Sequence, residues 1–171
     1  MTEPADDNSP SFYVSLTIHV KILHNCLLDT GASHNLMPKA VMEELGLGIT
    51  RPYHDLFPFD SRKVKCLGLI KDLAITLTQL PMKSMMMDIV VVDVPPKFGM
   101  LLSRGWIKRL GGTLHNVLSY ATVPVSEGES RRLYREATLA YIISDEKNPS
   151  NHPIYVVYID FGACILQMEE Y

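Results

Sequence analysis

The most informative segment of the chain reads Leu27-Leu28-Asp29-Thr30-Gly31-Ala32-Ser33. The two leucines predict the end of a buried strand, and the polar residues after them predict a tight turn. Gly31 lets the backbone turn closely because it has no Cβ, and the Thr30 hydroxyl is available to fix the turn. The segment therefore predicts a carboxylate, Asp29, presented on a rigid support. The alternative is an ordinary Asx-type turn at a strand end.

The residues on both sides of this turn carry clear secondary-structure signals. Upstream, alternate apolar residues from Phe12 to Ile22 predict one strand, or two strands joined by a bend. Downstream, Pro38 suits the start of a short helix. Gly46 suits the left-handed end of that helix.

Four further apolar stretches predict strands, at residues 53–59, 64–70, 74–77 and 85–92. The first two bracket Asp60-Ser61-Arg62-Lys63, which predicts a hairpin with a polar, basic tip. A short buried strand is expected at residues 99–102. Ser103 is expected to cap a second helix that turns Trp106 inward.

Composition and charge describe an ordinary globular protein. The 171 residues are 47% hydrophobic and 20% charged, which excludes wholesale disorder. A net charge of −3 does not favour nucleic acid as a direct partner. The scattered cysteines Cys26, Cys66 and Cys164 form no disulfide framework and suit a reducing compartment. The acidic N-terminus and the short apolar runs predict a cytoplasmic protein without a membrane partner.

The domain organisation predicted from these signals has three parts. Residues 1–10 are expected to form a disordered leader, and residues 11–125 a single β-rich domain. Residues 126–171 form a C-terminal extension of uncertain fold. In this extension Ser126 and Glu129 suit a capping box, and residues 133–143 fit either a helix or a strand.

A second apolar pair leads into a helix further along the chain, in Leu101-Leu102-Ser103-Arg104-Gly105-Trp106-Ile107. Together with the Asp29 turn and the hairpin, this element resembles the retroviral-type aspartic proteases (retropepsins). The likeness is greatest to the proteases in polyproteins of plant gypsy-type LTR retrotransposons. It extends from about residue 12 to residue 125.

The resemblance implies a mainly β fold, a closed retropepsin-like barrel with two short helices and one lobe per chain, acting as a homodimer. It implies that Asp29 is the catalytic acid, that Thr30 locks the two turns together, and that Gly31 bonds the substrate backbone. The polypeptide substrate would contact Leu27, Ala32, Ser33, His34, Ser61, Arg62 and Leu101, with the hairpin as a flap. No cofactor or metal is implied.

The chemistry of such a site requires two carboxylates. One carboxylate cannot both take a proton from water and give one to the substrate, whereas two held close together share a proton and divide these roles. The chain has one Asp-Thr-Gly, and Asp160-Phe161-Gly162 lacks the hydroxyl residue. A second Asp29 must therefore come from an identical copy. The resemblance, together with this chemistry, implies a homodimeric aspartic endopeptidase that cleaves a retroelement polyprotein with an Asp-activated water.

Two other functions compete with this one. Ser33, Ser103 and Gly105 stand where the family usually has an acidic residue, Gly, and Asn or Asp. Ser103, Gly105 and a hairpin tip without glycine favour a catalytically silent dimerisation or binding module from a decayed retrotransposon. Ser33 removes the acidic partner that the resemblance implies for Arg104 near the dimer interface, which predicts weak dimerisation. An unrelated, monomeric β-rich ligand-binding domain is the third alternative. The His and Cys residues at 19, 24, 26 and 34 follow no metal-ligand spacing, and structural roles are expected for them.

Overall fold

The computed structural model describes residues 11–53, 56–59, 62–114, 119–146, 156–158 and 167–169. For residues 56–59, 62–63, 114, 156–158 and 167–169 it describes the backbone alone. The predicted leader 1–10, the hairpin-tip residues Asp60 and Ser61, and the second Asp-containing turn at Asp160 lie outside the described residues.

The alternating N-terminal segment forms two strands. Strand β1 (Tyr13–Ile18) and strand β2 (Lys21–Leu28) pair antiparallel. His19 lies between them in the left-handed region, at φ 55°. Val20 follows the alternating pattern but is 69% exposed because it lies in this turn. The second of the two sequence alternatives, two strands joined by a bend, is confirmed.

The remainder of the first 110 residues contains five strands and two helices within the described ranges. They are β3 (Leu36–Pro38), α1 (Lys39–Glu44), β4 (Leu56–Phe59), β5 (Arg62–Leu77), β6 (Ser84–Val92), β7 (Met100–Leu102) and α2 (Arg104–Leu110). Helix α1 begins after Pro38 and is followed by Gly46 at φ 69°, as predicted. Strands β4 and β5 form the predicted hairpin.

Strand β5 corrects one prediction, because it continues through residues 62–77 where two strands were expected. Register shifts against β6 lie between Cys66 and Gly68 and between Ile70 and Leu73. Asp72, at φ 53°, lies in the second irregularity. The polar interruption in the sequence therefore bends the strand while its pairing with β6 continues.

Six strands close into a barrel in the order β1-β2-β7-β3-β6-β5, and β5 pairs back to β1. Within it β2 lies parallel to β7, and β3 lies parallel to β6. Fully buried side chains fill the interior, among them Leu16, Met37, Ile75, Ile89 and Met100. The protein is a mainly β fold with a closed barrel and two short helices, as the sequence predicted.

The chain after α2 forms β8 (Thr113–Leu114), β9 (Tyr120–Ser126), β10 (Glu129–Tyr134) and β11 (Ile143–Asp145). The helical alternative for this region is wrong. Ser126 and Glu129 close a β9–β10 hairpin, in which the Ser126 hydroxyl donates to the Glu129 carboxylate at 3.2 Å. Strand β11 pairs with β2, and Ile142 and Ile143 are buried in the barrel core. Strands β12 (Val156–Tyr158) and β13 (Gln167–Glu169) pair with each other.

Buried polar contacts attach residues 134–146 to the barrel. His24 lies between two hydroxyls, with Nδ1 2.9 Å from Ser15 Oγ and Nε2 2.7 Å from Ser144 Oγ. The Glu136 carboxylate accepts the Ser15 hydroxyl at 2.8 Å. Burial lowers the pKa of His24 to about 4, although the nearby Glu136 carboxylate acts in the opposite direction. His24 therefore has a structural role and is neutral at pH 7.

Two side-chain amides strengthen the same attachment. Asn25 accepts from the Leu139 N–H at 2.9 Å and donates to the Leu139 carbonyl at 3.0 Å. Gln79 makes the equivalent pair of bonds to the backbone of Tyr134, at 2.8 and 2.7 Å.

Within the described ranges no helix has the length and apolar character needed to cross a membrane.

Candidate active site

Asp29 lies where two parallel strands of the barrel end side by side. Leu28, the last residue of β2, pairs with Leu102, the last residue of β7, and Asp29 directly follows Leu28. The Asp29 side chain is half-buried, whereas Thr30 and Gly31 are exposed. The leucines anchor the end of β2 in the barrel, and the polar residues that follow them lie at the barrel surface. The structure therefore presents the Asp29 carboxylate at an accessible rim.

The turn itself is an Asx-type turn. The Gly31 N–H donates to Asp29 Oδ1 at 2.9 Å, and the Ala32 N–H donates to the Asp29 carbonyl at 3.1 Å. A Cβ at position 31 would lie 3.3 Å from Asp29 Oδ1, a close contact. The Asx turn and the presented carboxylate, which the sequence offered as alternatives, are thus the same feature.

Three consecutive residues, Leu102 at the end of β7 and the two that follow it, form hydrogen bonds with the turn segment. The Asp29 N–H donates to the Leu102 carbonyl at 2.9 Å, and the Arg104 N–H donates to the Ala32 carbonyl at 3.0 Å. Between these two bonds, the Ser103 N–H donates to Asn35 Oδ1 at 2.9 Å. The carboxylate therefore stands on a turn that is tied to the β7–α2 junction at three points.

Sequence reasoning missed Asn35. An Asn after a turn is an ordinary signal, and its partners come from segments more than fifty residues away. The Asn35 side-chain Nδ2 donates to the Asp88 backbone carbonyl at 3.1 Å, and the Asn35 backbone carbonyl accepts the Val90 N–H at 2.8 Å. No local pattern identifies such a residue, because its importance arises from contacts between distant segments.

A small apolar cluster lies next to the turn, and three of the predicted substrate-contacting residues belong to it or pack against it. Leu27 and Leu101 pair across β2 and β7. Leu101 belongs to the cluster, and Leu27 and Ala32 pack against it. Leu101 is 7% exposed, whereas Leu27 is half-buried. The structure therefore brings these three residues together beside Asp29, with Leu101 mainly in a packing position.

Two of the polar residues predicted to contact substrate, Ser33 and His34, follow Ala32 directly. The Ser33 hydroxyl is 2.8 Å from His34 Nδ1, and His34 Nε2 is 3.3 Å from the Tyr53 hydroxyl. His34 also borders an open cleft of about 530 Å³ between the turn, β6 and α2. Arg62 begins β5 opposite Phe59 of β4, and only its backbone is described. Ser61 is outside the described residues.

Of the positions that depart from the retropepsin pattern, Ser103 has a clear structural role, whereas no packing contact requires Gly105. The Ser103 hydroxyl accepts the Trp106 N–H at 3.2 Å and caps α2, as predicted. A Cβ at Gly105 would lie 3.7 Å from Ser103 Oγ, an ordinary contact, so packing does not require glycine there. Arg104 is exposed and joins the site through its backbone N–H.

Within the described residues, neither Cys26 nor a metal site provides an alternative reactive centre. Burial raises the pKa of the Cys26 thiol well above its ordinary value, and the Glu136 carboxylate acts in the same direction. Cys26 is therefore a packing residue rather than a nucleophile. The described ranges contain no group of three or more His, Cys, Asp or Glu side chains able to hold a metal ion.

Comparison with known proteins finds matches among solved structures. No family model matches the chain, and no curated protein sequence matches it. The retroviral protease-like domain of Ddi1 from Leishmania major superposes with a TM-score of 0.51 at 16% identity, covering 68% of this chain and 89% of that domain. This likeness supports a retropepsin-like fold, and at that identity the fold alone.

Two further structures match with lower scores. The EIAV protease bound to the inhibitor HBY-793 has a TM-score of 0.45 at 18% identity, covering 65% of this chain and 95% of that one. A retropepsin-like aspartic protease from Rickettsia conorii has a TM-score of 0.46 at 18% identity, covering 60% and 81%. Neither score adds weight to the assignment of the fold.

Proposed function

We propose that this protein is an aspartic endopeptidase that acts as a homodimer. The observation that carries the proposal is the Asp29 turn, which is tied to residues 102–104 and leaves Thr30 and Gly31 exposed beside the carboxylate. A rigid, accessible carboxylate next to exposed turn residues suits a site that is completed by a second copy. The retropepsin-like fold supports the same proposal.

In the proposed mechanism two Asp29 carboxyls, one from each copy, share a single proton. The ionised carboxylate takes a proton from water, which attacks the scissile carbonyl carbon. The protonated carboxyl donates to the carbonyl oxygen as negative charge develops there. When the tetrahedral intermediate collapses, the C–N bond breaks and the amine takes up a proton from one carboxyl. A hydroxyl of the intermediate returns its proton to the other carboxyl as the new C=O bond forms, so the pair again holds one proton. Thr30 would link the two turns, and Gly31 would hold the substrate backbone.

We further propose that the substrate is a retroelement polyprotein of the plant gypsy type. The support is the resemblance of the Asp29 and Leu101 elements to that group. Leu27, Leu101, Ala32, Ser33 and His34 would contact an extended peptide beside the Asp29 turn. Ser61 and Arg62 of the β4–β5 hairpin would cover it.

The remaining assignments belong to the same proposal. Residues 11–125 would be the protease domain, preceded by a leader at 1–10 and followed by an extension at 126–171. The protein would act in the cytoplasm without binding a membrane or nucleic acid directly. The acidic net charge of −3 and the scattered cysteines support this placement.

Replacement of the central carboxylate tests the proposal. We expect Asp29→Asn to lower peptide cleavage by about 10⁴-fold or more, because a paired amide cannot share the proton. Asp93 is exposed and allows the matched control Asp93→Asn, which should cleave normally. A statine-type transition-state mimic should inhibit the wild-type protein. Cleavage that survives Asp29→Asn would refute the proposal.

The second candidate is a silent dimerisation or binding module, favoured by Ser103 and Gly105, and Ser33 stands where the retropepsin pattern has an acidic residue. Arg104 has no acidic neighbour at that position of the turn, and this removes a charged contact expected near the dimer axis. Sedimentation velocity combined with a peptide-library digest separates the two functions. A dimer that cuts no peptide at any pH would favour the silent module.

A further inference from the structure

We infer that Asn35 is a positioning residue for the Asp29 carboxylate, an inference that rests on the proposed protease function. Asn35 ends the segment that begins with Asp29 and lies immediately before β3. Its side chain joins this segment to two separate parts of the barrel, the β7–α2 junction and β6. It is not among the residues that the retropepsin resemblance identifies.

The chemistry of the two contacts requires an amide. The Ser103 N–H can only donate, and the Asp88 carbonyl can only accept. The side chain between them must therefore accept on one atom and donate on the other, at 2.9 and 3.1 Å. An asparagine does both from one rigid group, and this also fixes which atom of Asn35 is the oxygen.

The location of these contacts gives them their effect on Asp29. Leu102, Ser103 and Arg104 contribute three consecutive backbone groups, and the segment 29–35 meets them at its start, middle and end. The first two bonds use backbone atoms and are formed by any sequence. Asn35 supplies the third bond, and it is the one of the three in which the turn segment contributes a side-chain atom.

The strand that follows adds a reason why the end of the turn needs fixing. The backbone carbonyl of Asn35 accepts the Val90 N–H at 2.8 Å, and Leu36 then pairs with Val90 in the parallel β3–β6 ladder. Without its side-chain bonds, Asn35 would still lead into β3 but would no longer be connected to Ser103. The turn could then shift relative to the β7–α2 junction, and the Asp29 carboxylate would shift with it.

Asn35→Leu tests the inference, because leucine has a similar size and makes neither bond. We expect kcat to fall by about 10- to 100-fold with KM nearly unchanged, because a misplaced carboxylate affects chemistry more than binding. Asn35→Asp keeps an acceptor for the Ser103 N–H and should recover part of the loss. The backbone amides of Ser103 and Arg104 should exchange hydrogen faster in Asn35→Leu.

Gln79→Leu is the matched control. Gln79 also joins a backbone N–H to a backbone carbonyl, those of Tyr134, in the C-terminal segment. We expect this variant to lose stability without a selective fall in kcat and without faster exchange at Ser103. Equal effects of the two variants on kcat and on exchange would overturn the inference.

The exchange measurement separates this inference from the proposed function. If the wild-type protein cleaves nothing and Asn35→Leu still exposes the Ser103 and Arg104 amides, the protease function fails and the fixing of the turn by Asn35 holds. If exchange at these amides is unchanged in Asn35→Leu, the positioning role is wrong, whether or not the wild-type protein cleaves peptides.

Discussion

The orientation of the Asp29 carboxylate depends on a direct contact with Gly31. The Gly31 N–H fixes one carboxylate oxygen at 2.9 Å, and an added Cβ at residue 31 would lie 3.3 Å from the same oxygen. Gly31 is not in the left-handed region, so its backbone conformation does not demand glycine. The requirement for glycine therefore comes from the space beside the carboxylate.

This contact predicts the effect of Gly31→Ala. The methyl group should displace the Asp29 carboxylate by a few tenths of an ångström and lower kcat by about tenfold or more, because catalysis depends on alignment. The thermal midpoint should change little, since Gly31 is exposed. Gly48→Ala is the control, because its Cβ would meet no atom within 4 Å. Unchanged cleavage by Gly31→Ala would contradict the proposed role of this turn.

His24 gives a second prediction at the scale of one residue, on the dependence of stability on pH. The pKa of His24 is lowered from 6.5 to about 4 in the folded protein, mainly by burial. Between these values the unfolded chain binds a proton that the folded protein does not. Folding stability is therefore fully present above pH 6.5 and falls as the pH is lowered towards 4.

The free energy of unfolding is expected to fall by about 3 kcal/mol between pH 6.5 and pH 4, since each pKa unit corresponds to about 1.4 kcal/mol. Urea unfolding at several pH values and one fixed protein concentration measures it. His24→Gln cannot take up the proton, so its free energy of unfolding should depend less on pH between 6.5 and 4. The same pH dependence in both proteins would show that His24 is not the responsible group.

At the scale of elements, helix α2 connects the candidate site to the core. Ser103 begins the helix and accepts the Trp106 N–H, and Gly111 ends it in the left-handed region at φ 72°. Trp106 and Leu110 are buried in the barrel core. Because Ser103 also donates its N–H to Asn35, the start of the helix and the end of the Asp29 turn are fixed by one residue.

Substitution of the cap tests this arrangement. Ser103→Ala should lower the free energy of unfolding by about 1 kcal/mol, because the Trp106 N–H loses its acceptor. Ser103→Gly should cost only a few tenths of a kcal/mol, because glycine is tolerated at an N-cap. Chemical denaturation of both variants gives the comparison. An alanine variant as stable as wild type would show that the side-chain cap contributes little.

At the scale of the whole molecule, the barrel is complete within one chain and the proposed site is not. The closing pairing between β5 and β1 and the buried core belong to a single copy. The proposed chemistry needs a second carboxyl, and the exposed turn residues Thr30 and Gly31 are where a second copy would meet the first. Folding and catalysis are therefore expected to depend differently on protein concentration.

Mixing experiments test the need for two copies. Wild-type protein and Asp29→Asn are equilibrated at fixed total concentration, and cleavage is measured at each ratio. If each site needs two Asp29 carboxyls, activity falls as the square of the wild-type fraction, and equal amounts leave about a quarter. A linear fall, leaving about half, would mean that one Asp29 suffices and would exclude the shared-proton mechanism.

Local pattern was enough to predict most of the elements. The apolar alternation of the first strands, the Pro38 and Gly46 boundaries of α1 and the Ser103 cap of α2 were predicted and are present, because each depends on neighbours in sequence. Predictions failed where distant pairing decided the outcome. Strand β5 continues across its polar interruption because β6 pairs with both halves.

The same division applies to the candidate site. The sequence by itself determined the Asp29 turn, because the leucines, the carboxylate and Gly31 act within a few residues of one another. Only the tertiary structure decided what holds that turn, since Asn35, Ser103 and Asp88 meet through the barrel across more than fifty residues. Backbone donors and acceptors look alike in every sequence, so their partners become known only when the strands are placed in space.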